Sequence, residues 1–276
     1  IQLRKKTKEN LNYLFIEGDS SKSILNGDFA EENQISKEVV KHLFGMEQSY
    51  QYKSLQGLYS SVMDGFDVGS IQFALHYMFS DVVTINNFLK NCSDTIKVDG
   101  HFIGTCFDGV KVFNLLKDNN IKENEIYELQ KEDSKIWHVR KKFKEESFTK
   151  ENCLGYKISI YQESINQEID EYLVHFDYLI ELCESYGFTL VQNNYLNIKN
   201  NFETMYNSLY KEDDFMSKEE KEISFLNNYF IFKKIQKVDS QSVFNTNTTL
   251  LFSKKRNILN SSKPVIIPSS NISITI

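Results

Sequence analysis

The most informative segment of the sequence reads FDVGSIQFALHY and runs from Phe66 to Tyr77. Its first part is an apolar, β-compatible run that ends at the polar amide of Gln72, after which a histidine and a tyrosine stand side by side. Buried parallel strands read as nearly continuous apolar runs, and open α/β sheets bind ligands just beyond the carboxyl ends of their strands. We therefore expect a strand that ends at a ligand-binding edge.

A second run of the same kind, DGHFIGTCFDG, occupies Asp99–Gly109. Between the two runs, Asp81–Asn91 carries apolar residues at the spacing of an amphipathic helix. The three segments predict a strand–helix–strand unit with polar residues at both strand exits, which is typical of the α/β class.

The same patterns predict the remaining elements. We expect helices at 36–45, 109–117, 168–186, 199–211 and 217–227, and strands at 13–18, 155–165, 188–195 and 229–235. The stretch 118–155 is highly charged, which favours a surface loop or β-excursion in front of the sheet. From residue 237 onward Ser, Asn and Thr dominate and the periodicity is lost, so we expect 1–236 to form the domain and 237–276 a mobile tail.

Composition excludes several classes of protein. No apolar stretch approaches the length of a membrane span, which argues against a membrane partner. The net charge is −6, so any RNA contact must come from a local basic surface, and we interpret the basic run Lys135–Lys144 as a solvated face rather than an RNA guide. Neither a metal site nor a disulfide framework is expected from the scattered cysteines Cys92, Cys106, Cys153 and Cys183.

Three further segments complete a series that extends along the chain. They are FIEGDSSK (Phe15–Lys22), DEYLV (Asp170–Val174) and NYFIF (Asn228–Phe232). Together with the two strand runs, and in the same order, they resemble the mRNA cap guanine-N7 methyltransferases, which use S-adenosylmethionine (AdoMet). The resemblance covers residues 10–235 approximately and implies a Rossmann-like, AdoMet-dependent methyltransferase sandwich.

One part of the family pattern is absent. The first strand with its Gly-rich loop, and the acidic residue after the second strand, are not found upstream of Asp19. We therefore expect the chain to be the C-terminal portion of a longer polypeptide, lacking the first two strands and inactive by itself. The alternatives are a non-catalytic methyltransferase-like structural subunit of a capping enzyme and an AdoMet methyltransferase with another substrate.

The resemblance also implies partners and a location. The substrate would be the capped 5′ end of mRNA, and triphosphatase or guanylyltransferase domains on the same chain, or a stimulatory subunit, would be partners. A bias toward Asn, Lys, Ile, Phe and Tyr is typical of A+T-rich coding sequence, and with the resemblance it points to a large DNA virus. We expect a cytoplasmic location, in a viral factory or virion.

The reaction that the resemblance implies needs no catalytic side chain. N7 of guanine already has a free lone pair, so no general base is required for an in-line methyl transfer. Holding N7 and the methyl carbon close and in line can supply most of the rate enhancement, and the electrostatics of the site can supply more. The residues to seek are therefore recognition groups for two purines.

For the cofactor, the resemblance singles out Asp19, Ser20, Gln72 and Tyr77. Asp19 would accept a hydrogen bond from the adenine amino group, with Ser20 as a backbone contact; the alternative is that Asp19 caps the turn that follows it. Gln72 would contact AdoMet at the strand end; the alternative is an amide bonded to a neighbouring loop. The phenol of Tyr77 would line the methionine pocket.

For the cap guanine, the resemblance singles out His76, Tyr77, Glu171 and Tyr229. The rings can stack on guanine or hydrogen-bond to it, and the Glu171 carboxylate can accept from N1–H and the amino group on one guanine edge. The alternatives are a structural histidine, a carboxylate stabilised by a helix N-terminus, and a core tyrosine at 229.

Two positions depart from the family pattern. The aromatic residue expected near the end of the sixth strand is missing, because Ile158 and Ile160 occupy that region, and Tyr156 and Tyr161 are candidate substitutes. The proline that precedes the acidic or amide residue in the cellular enzymes is absent from Thr105–Asp108.

Overall fold

The structure is a computed structural model that describes residues 14–49, 53–131, 134–191, 201–210 and 216–249. Its strands are β1 (Phe66–Gln72), β2 (Ile96–Phe107), β3 (Ile126–Lys131), β4 (Ser134–Lys141), β5 (Lys157–Gln162), β6 (Gln167–Tyr172), β7 (Phe188–Leu190) and β8 (Asn227–Lys234). Its α-helices include α1 (Gln34–Leu43), α2 (Val82–Thr95), α3 (Gly109–Asp118), α4 (Phe176–Ser185), α5 (Phe202–Leu209) and α6 (Lys218–Phe225). The predicted α/β class is confirmed.

The first sheet contains the strand–helix–strand unit that the sequence predicts. Its strand order is β1-β2-β8-β7, with β1 parallel to β2 and the other neighbours antiparallel. The helix α2 is the crossover between the two parallel strands. The carboxyl ends of β1 and β2 therefore lie side by side at one edge, next to the amino end of β8.

The crossover helix begins where its sequence allows. The Asp81 side chain accepts hydrogen bonds from the main-chain N–H groups of Val83 and Thr84, which satisfies donors that have no partner within the helix. Ile85 and Leu89, one turn apart, are fully buried in the core. The predicted helical spacing thus corresponds to the buried face of α2.

Aromatic side chains form the centre of the first core. Phe102 in β2 is 1% exposed. Its ring lies within 5.1 to 6.3 Å, centroid to centroid, of the rings of Phe88, Phe188, Phe230 and Phe232. This cluster joins α2 to three strands of the sheet and so fixes the edge at which β1 and β2 end.

The second sheet is an antiparallel meander in the order β3-β4-β5-β6. The charged stretch 118–155, expected as a surface loop or β-excursion, supplies β3 and β4. The helix α3 packs over one face of this sheet, where Val112 and Leu116 meet Trp137 and Ile158 in a second core.

Two predicted elements are wrong in part. The helix expected over 168–186 begins only at Phe176, because Gln167–Tyr172 forms β6 against β5. Charged residues on both faces of that strand hide its period of two from the sequence. The strand expected over 13–18 is absent from 14–18, and residue 13 lies outside the described residues.

Residues 240–249, which the sequence assigns to a tail, are helical. Ser240 donates to Asp94 at 2.5 Å, and Asn247 donates to the buried Asn86 at 2.9 Å, so this helical segment packs on α2. Residues 250–276 lie outside the described residues. Across the described part of the chain, no helix is long and apolar enough to cross a membrane.

Candidate functional site

A row of polar side chains crosses the edge where β1 and β2 end. Gln72, Thr105 and Tyr229 stand directly opposite one another on β1, β2 and β8, and therefore share one face of the sheet. The row is about 10 Å wide, given the spacing of neighbouring strands. It brings a residue predicted for the cofactor close to one predicted for the cap guanine.

The amide of Gln72 is held within this row. The Thr105 hydroxyl donates to Gln72 Oε1 at 2.7 Å, and Gln72 Nε2 donates to the Ser70 hydroxyl at 2.9 Å. The side chain is thus bonded to side chains of β1 and β2 and not to a neighbouring loop, which was the alternative to a cofactor contact, and it remains exposed to solvent. Tyr229 is half-buried and so is not a residue of the closed core.

A tight turn after β1 presents His76 and Tyr77. Both lie in the 3₁₀ helix Leu75–Ser80, which the fully buried Leu75 and Phe79 anchor to the core. His76 is 5% exposed and Tyr77 is 42% exposed. Their rings lie 4.2 Å apart and are close to perpendicular. The turn therefore holds a buried imidazole beside an exposed phenol, and we call the region around these two side chains the pocket.

Glu171 projects toward this turn from the second sheet. It lies in β6 opposite Ile158, its side chain is 12% exposed, and its Oε2 is 3.4 Å from His76 Nδ1. The alternative of a carboxylate stabilised by a helix N-terminus does not apply, because the next helix begins at Phe176. The structure thus brings together His76, Tyr77 and Glu171, which come from distant parts of the sequence.

Burial dominates the electrostatics of this pocket. It raises the pKa of Glu171 to about 7 and lowers the pKa of His76 to about 4. The pKa of Tyr77 is raised by burial and then by the negative charge of Glu171. Among the described residues, His76 Nε2 is buried with no hydrogen-bond partner. The pocket is therefore a half-satisfied polar site, which a ligand with adjacent N–H donors would complete.

Phe73 is a further candidate site residue, which no sequence motif singles out. It follows the last residue of β1, is 56% exposed, and has a φ of 51°, in the left-handed region that bulky side chains avoid. Its N–H donates to Thr105 O at 2.8 Å, and its ring packs edge-on against Phe202. An exposed aromatic ring held in a strained conformation at the end of β1 is a candidate for ligand binding, and the sequence offers no sign of the backbone angle.

Asp19 and Ser20 lie away from this pocket. The Asn91 amide near the carboxyl end of α2 donates to Ser20 O at 2.9 Å. Because α2 runs back along the sheet from the end of β1, Asn91 lies toward the opposite edge from Gln72. The structure thus separates Asp19 and Ser20 from Gln72 and Tyr77.

The Asp19 carboxylate acts as a turn cap. Its Oδ1 accepts from the main-chain N–H of Ser21 at 2.9 Å and from the Ser21 hydroxyl at 2.6 Å. The hydroxyl is the largest cause of a lowered pKa for Asp19. Its Oδ2 forms an ion pair with Lys22 Nζ at 3.8 Å, and Asp19 lines a surface cavity of about 450 Å³ beside Phe29. The capping alternative is therefore present, and the second carboxylate oxygen is ion-paired with a lysine.

Neither candidate aromatic substitute reaches the pocket. Ile158 and Ile160 are buried in the second core. Tyr156 is also buried there, and its hydroxyl donates to Ser147 O at 2.8 Å. Tyr161 lies on the other face of β5 from Ile158, where it stacks on His138. The exposed aromatic side chains near the pocket are instead Phe73 and Tyr77.

The basic run Lys135–Lys144 has several cations that pair with carboxylates. Its aromatic residues Trp137 and Phe143 are core residues. Lys135 pairs with Glu128 at 3.1 Å, and Arg140 pairs with Glu168 at 2.7 Å. Lys141 is buried, with its ammonium group 4.9 Å from the centroid of the Phe143 ring. These contacts reduce the positive charge that β4 could offer to an RNA backbone.

The cysteines offer no chemistry at the site. Cys106 is fully buried beneath it, and its pKa is raised by burial and further by the nearby Asp108 and Glu171 carboxylates, so the thiol stays protonated. Among the described residues, no group of three or more His, Cys, Asp or Glu side chains could hold a metal ion.

Comparison with known proteins identifies a family whose model matches this chain. Residues 51–243 match the family model described as the mRNA (guanine-N(7))-methyltransferase domain. This range contains the pocket residues from Gln72 to Tyr229, whereas Asp19 and Ser20 lie outside it.

Individual proteins of similar sequence carry names that agree with this family. The chain is 30% identical over 166 residues to a probable mRNA-capping enzyme of Acanthamoeba polyphaga mimivirus, covering 57% of this chain and 14% of that protein. It is 25% identical over 190 residues to an mRNA-capping enzyme of African swine fever virus, covering 68% and 20%. It is 32% identical over 146 residues to the mRNA cap guanine-N(7) methyltransferase of Lodderomyces elongisporus, covering 49% and 24%. The aligned part is thus less than a quarter of each relative's length.

Proposed function

This chain belongs to the mRNA (guanine-N(7))-methyltransferase family, and we propose that it binds the guanine of an mRNA cap and directs N7 toward the methyl group of AdoMet. The observation that carries the proposal is the buried Glu171 carboxylate 3.4 Å from His76, with the unpaired His76 Nε2 in the same pocket. His76 Nε2 is buried without a hydrogen-bond partner among the described residues, and the Glu171 carboxylate can accept from donors of a ligand.

Guanine has the complementary edge. Its N1–H and exocyclic amino group can both donate to the two oxygens of Glu171, as in other paired, charge-assisted contacts. The neutral imidazole of His76 and the ring of Tyr77 then contact the purine on its other sides. The negative charge of Glu171 also stabilises the cationic 7-methylguanine as it forms.

AdoMet, when bound, supplies an electrophilic methyl group on a sulfonium. The half-exposed Tyr77 phenol, the exposed Gln72 amide and the half-buried Thr105 hydroxyl offer contacts of the kind that the methionine and ribose parts of AdoMet require. Tyr229, opposite Thr105, lies within about 10 Å of Gln72. A guanine in contact with Tyr229 would therefore lie close to an AdoMet molecule in contact with Gln72. These residues bind and orient; none has to remove a proton, because guanine N7 carries a free lone pair.

Asp19 and Ser20 remain proposed contacts to the adenine. They are supported by the resemblance and by the position of Asp19 at the cavity beside Phe29. Because they lie toward the opposite edge of the sheet from Gln72, their variants are tested separately.

The experiment is methyl transfer from labelled AdoMet to GpppA-capped RNA by the full-length polypeptide that carries this chain. Label at guanine N7 supports the proposal, and label elsewhere would replace it with another AdoMet methyltransferase. No transfer and no AdoMet binding would leave a structural subunit of a capping enzyme. Equilibrium binding of AdoMet to Gln72→Ala and Asp19→Ala then tests the two halves of the cofactor site.

Cap affinity is expected to depend on pH through Glu171. The folded pKa of Glu171, about 7, lies above the ordinary value of 4.5, so the folded state binds more protons than the unfolded state between these two pH values. The contribution of Glu171 to the free energy of unfolding is therefore greatest below pH 4.5 and is lost as the pH rises through 7. Binding of guanine needs the ionised form, so affinity should fall about tenfold per pH unit below pH 7 and level off above it. His76, with a pKa of about 4, stays neutral in this range.

Fluorescence titration with the unmethylated dinucleotide GpppA between pH 5.5 and 8.5 measures this, because its guanine does not titrate there. The residual affinity of Glu171→Gln should be independent of pH over the same range. A wild-type affinity that is flat between pH 6 and 8 would contradict the assignment of Glu171.

Phe73→Ala is expected to weaken binding without weakening the fold. Loss of one aromatic stacking surface should raise KM for capped RNA by about tenfold, since base–aromatic stacking contributes about 1–3 kcal/mol. Stability should change little, because the ring is 56% exposed. The matched control is Phe66→Ala, at the far end of β1 and 43% exposed, which should leave KM unchanged. Equal effects of the two substitutions on KM would contradict a role for Phe73 in binding.

We propose, finally, that the chain works inside a larger capping polypeptide in the cytoplasm. The support is that relatives named mRNA-capping enzyme are much longer than the aligned part. Triphosphatase and guanylyltransferase domains on the same polypeptide, or a stimulatory subunit, are the partners this implies.

A further inference from the structure

A hydrogen-bonded group of two buried side chains, Asp108 and Asn228, and the half-buried Lys111 lies next to the row of Gln72, Thr105 and Tyr229. Asn228 Nδ2 donates to Asp108 Oδ2 at 2.8 Å, and Lys111 Nζ donates to Asn228 Oδ1 at 3.1 Å. Asn228 is 2% exposed and Asp108 is 4% exposed. The amide is therefore enclosed between a carboxylate and an ammonium group, and its orientation is fixed, because only Nδ2 can donate and only Oδ1 can accept.

These three side chains, which we call the 108–111–228 relay, connect the ends of four secondary-structure elements. Asp108 accepts through Oδ1 from Val110 N–H at 3.0 Å and so caps α3, and its own N–H donates to Leu226 O at 2.8 Å. Lys111 also donates to Phe225 O at 2.7 Å, at the last residue of α6. The end of β2, the start of α3, the end of α6 and the start of β8 are thus bonded to one another.

The relay has a cost that packing alone would not require. Buried charges and amides lose hydration, and apolar side chains of similar volume usually stabilise a fold at least as well. The apolar cores already join the same elements through Val112, Leu226 and Phe230. Hydrogen bonds, unlike apolar contacts, are directional. The polar relay therefore restricts the main chain at residue 228 to one position.

The residue whose position depends on this is Tyr229. It follows Asn228 directly and stands opposite Thr105 at the site edge. We propose that Asn228 is a positioning residue, which through Asp108 and Lys111 holds Tyr229 against the cap guanine. The inference rests on the proposed function, and names a determinant of cap affinity that does not itself touch the cap.

The test exchanges the two partners of the relay. Asn228→Asp alone places a carboxylate against Asp108 and removes the donor, whereas Asp108→Asn alone leaves one of two donors without an acceptor. The double variant restores each bond: the amide at 108 accepts from Val110 and donates to the carboxylate at 228, which still accepts from Lys111. We expect each single variant to raise KM for capped RNA by about tenfold or more, and the double variant to return it to within about threefold of wild type. KM for AdoMet should stay within about twofold throughout.

A second arm separates positioning from general stability. In a Tyr229→Ala background, adding Asn228→Asp should have no further effect on KM for capped RNA, because the residue through which Asn228 acts is gone. Thermal midpoints are recorded for all variants. The inference is overturned if Asn228→Asp is equally harmful in the Tyr229→Ala background, or if the double variant regains its thermal midpoint but not its KM. A wild-type polypeptide with no methyl transfer at all would instead overturn the proposed function.

Discussion

Replacing Glu171 with glutamine is expected to lower kcat/KM for capped RNA by about 100-fold to 1,000-fold. The carboxylate can accept two hydrogen bonds from guanine, and a bond to a charged group contributes about 1.5–3 kcal/mol. Glutamine keeps the shape of the side chain but turns an N–H donor toward the donors of guanine. The loss should appear mainly as weaker cap binding, while AdoMet affinity should stay within about twofold of wild type.

The same substitution is expected to stabilise the protein above pH 7. There the carboxylate is ionised although burial raises its pKa to about 7, so an uncharged amide removes a desolvation cost on the order of 3 kcal/mol. A gain in stability together with a loss of activity is the signature of a residue kept for binding. A thermal midpoint that falls together with the activity would show instead that Glu171 supports the fold.

The control for Glu171 is Glu163→Gln. Glu163 is an exposed residue of the turn between β5 and β6, so its substitution makes the same change in charge near the same strand. We expect its kcat/KM to stay within about twofold of wild type, because an exposed charge interacts weakly with a buried site. Retention of more than a third of wild-type activity by Glu171→Gln would contradict its assignment to the guanine.

Phe102→Ala is expected to have the largest effect on stability, lowering the free energy of unfolding by about 3–5 kcal/mol. The ring is 1% exposed and packs among four other phenylalanine rings from α2, β7 and β8, so its removal leaves a cavity that the surrounding strands cannot fill. Chemical denaturation monitored by circular dichroism measures the change.

The matched control for Phe102 is Phe73→Ala, which deletes the same side chain from an exposed position. It should change the free energy of unfolding by less than about 1 kcal/mol while lowering cap affinity. Phe102→Ala should therefore act mainly on the free energy of unfolding, and Phe73→Ala mainly on cap affinity. A loss of less than about 1 kcal/mol for Phe102→Ala would contradict the placement of that ring in the core.

Much of the fold follows from patterns that a short window of sequence contains. The apolar runs at β1 and β2 and the helical spacing of α2 each depend on neighbouring residues, and Asp81 marks the start of the helix through bonds to the next turn. The family resemblance depends likewise on segments that are continuous in the chain. For this reason the α/β class, the crossover and the polar strand exits were predictable.

The pocket itself depends on contacts between distant segments. Glu171 reaches His76 only because Gln167–Tyr172 pairs with β5 as a strand, and the sequence, with charges on both faces, predicted a helix there. Burial of that carboxylate, and hence its raised pKa, is likewise a property of the packed sheet.

By itself, then, the sequence determined the fold class, the order of the first strands and helix, and the residue types available for binding two purines. Tertiary structure alone decided which of those residues meet. It joined His76, Tyr77 and Glu171, turned Phe73 outward through a left-handed backbone angle, and set Asp19 toward the opposite edge of the sheet. The physical reason is that local periodicity fixes which face of an element is apolar, whereas strand pairing and burial fix which polar groups lose water together.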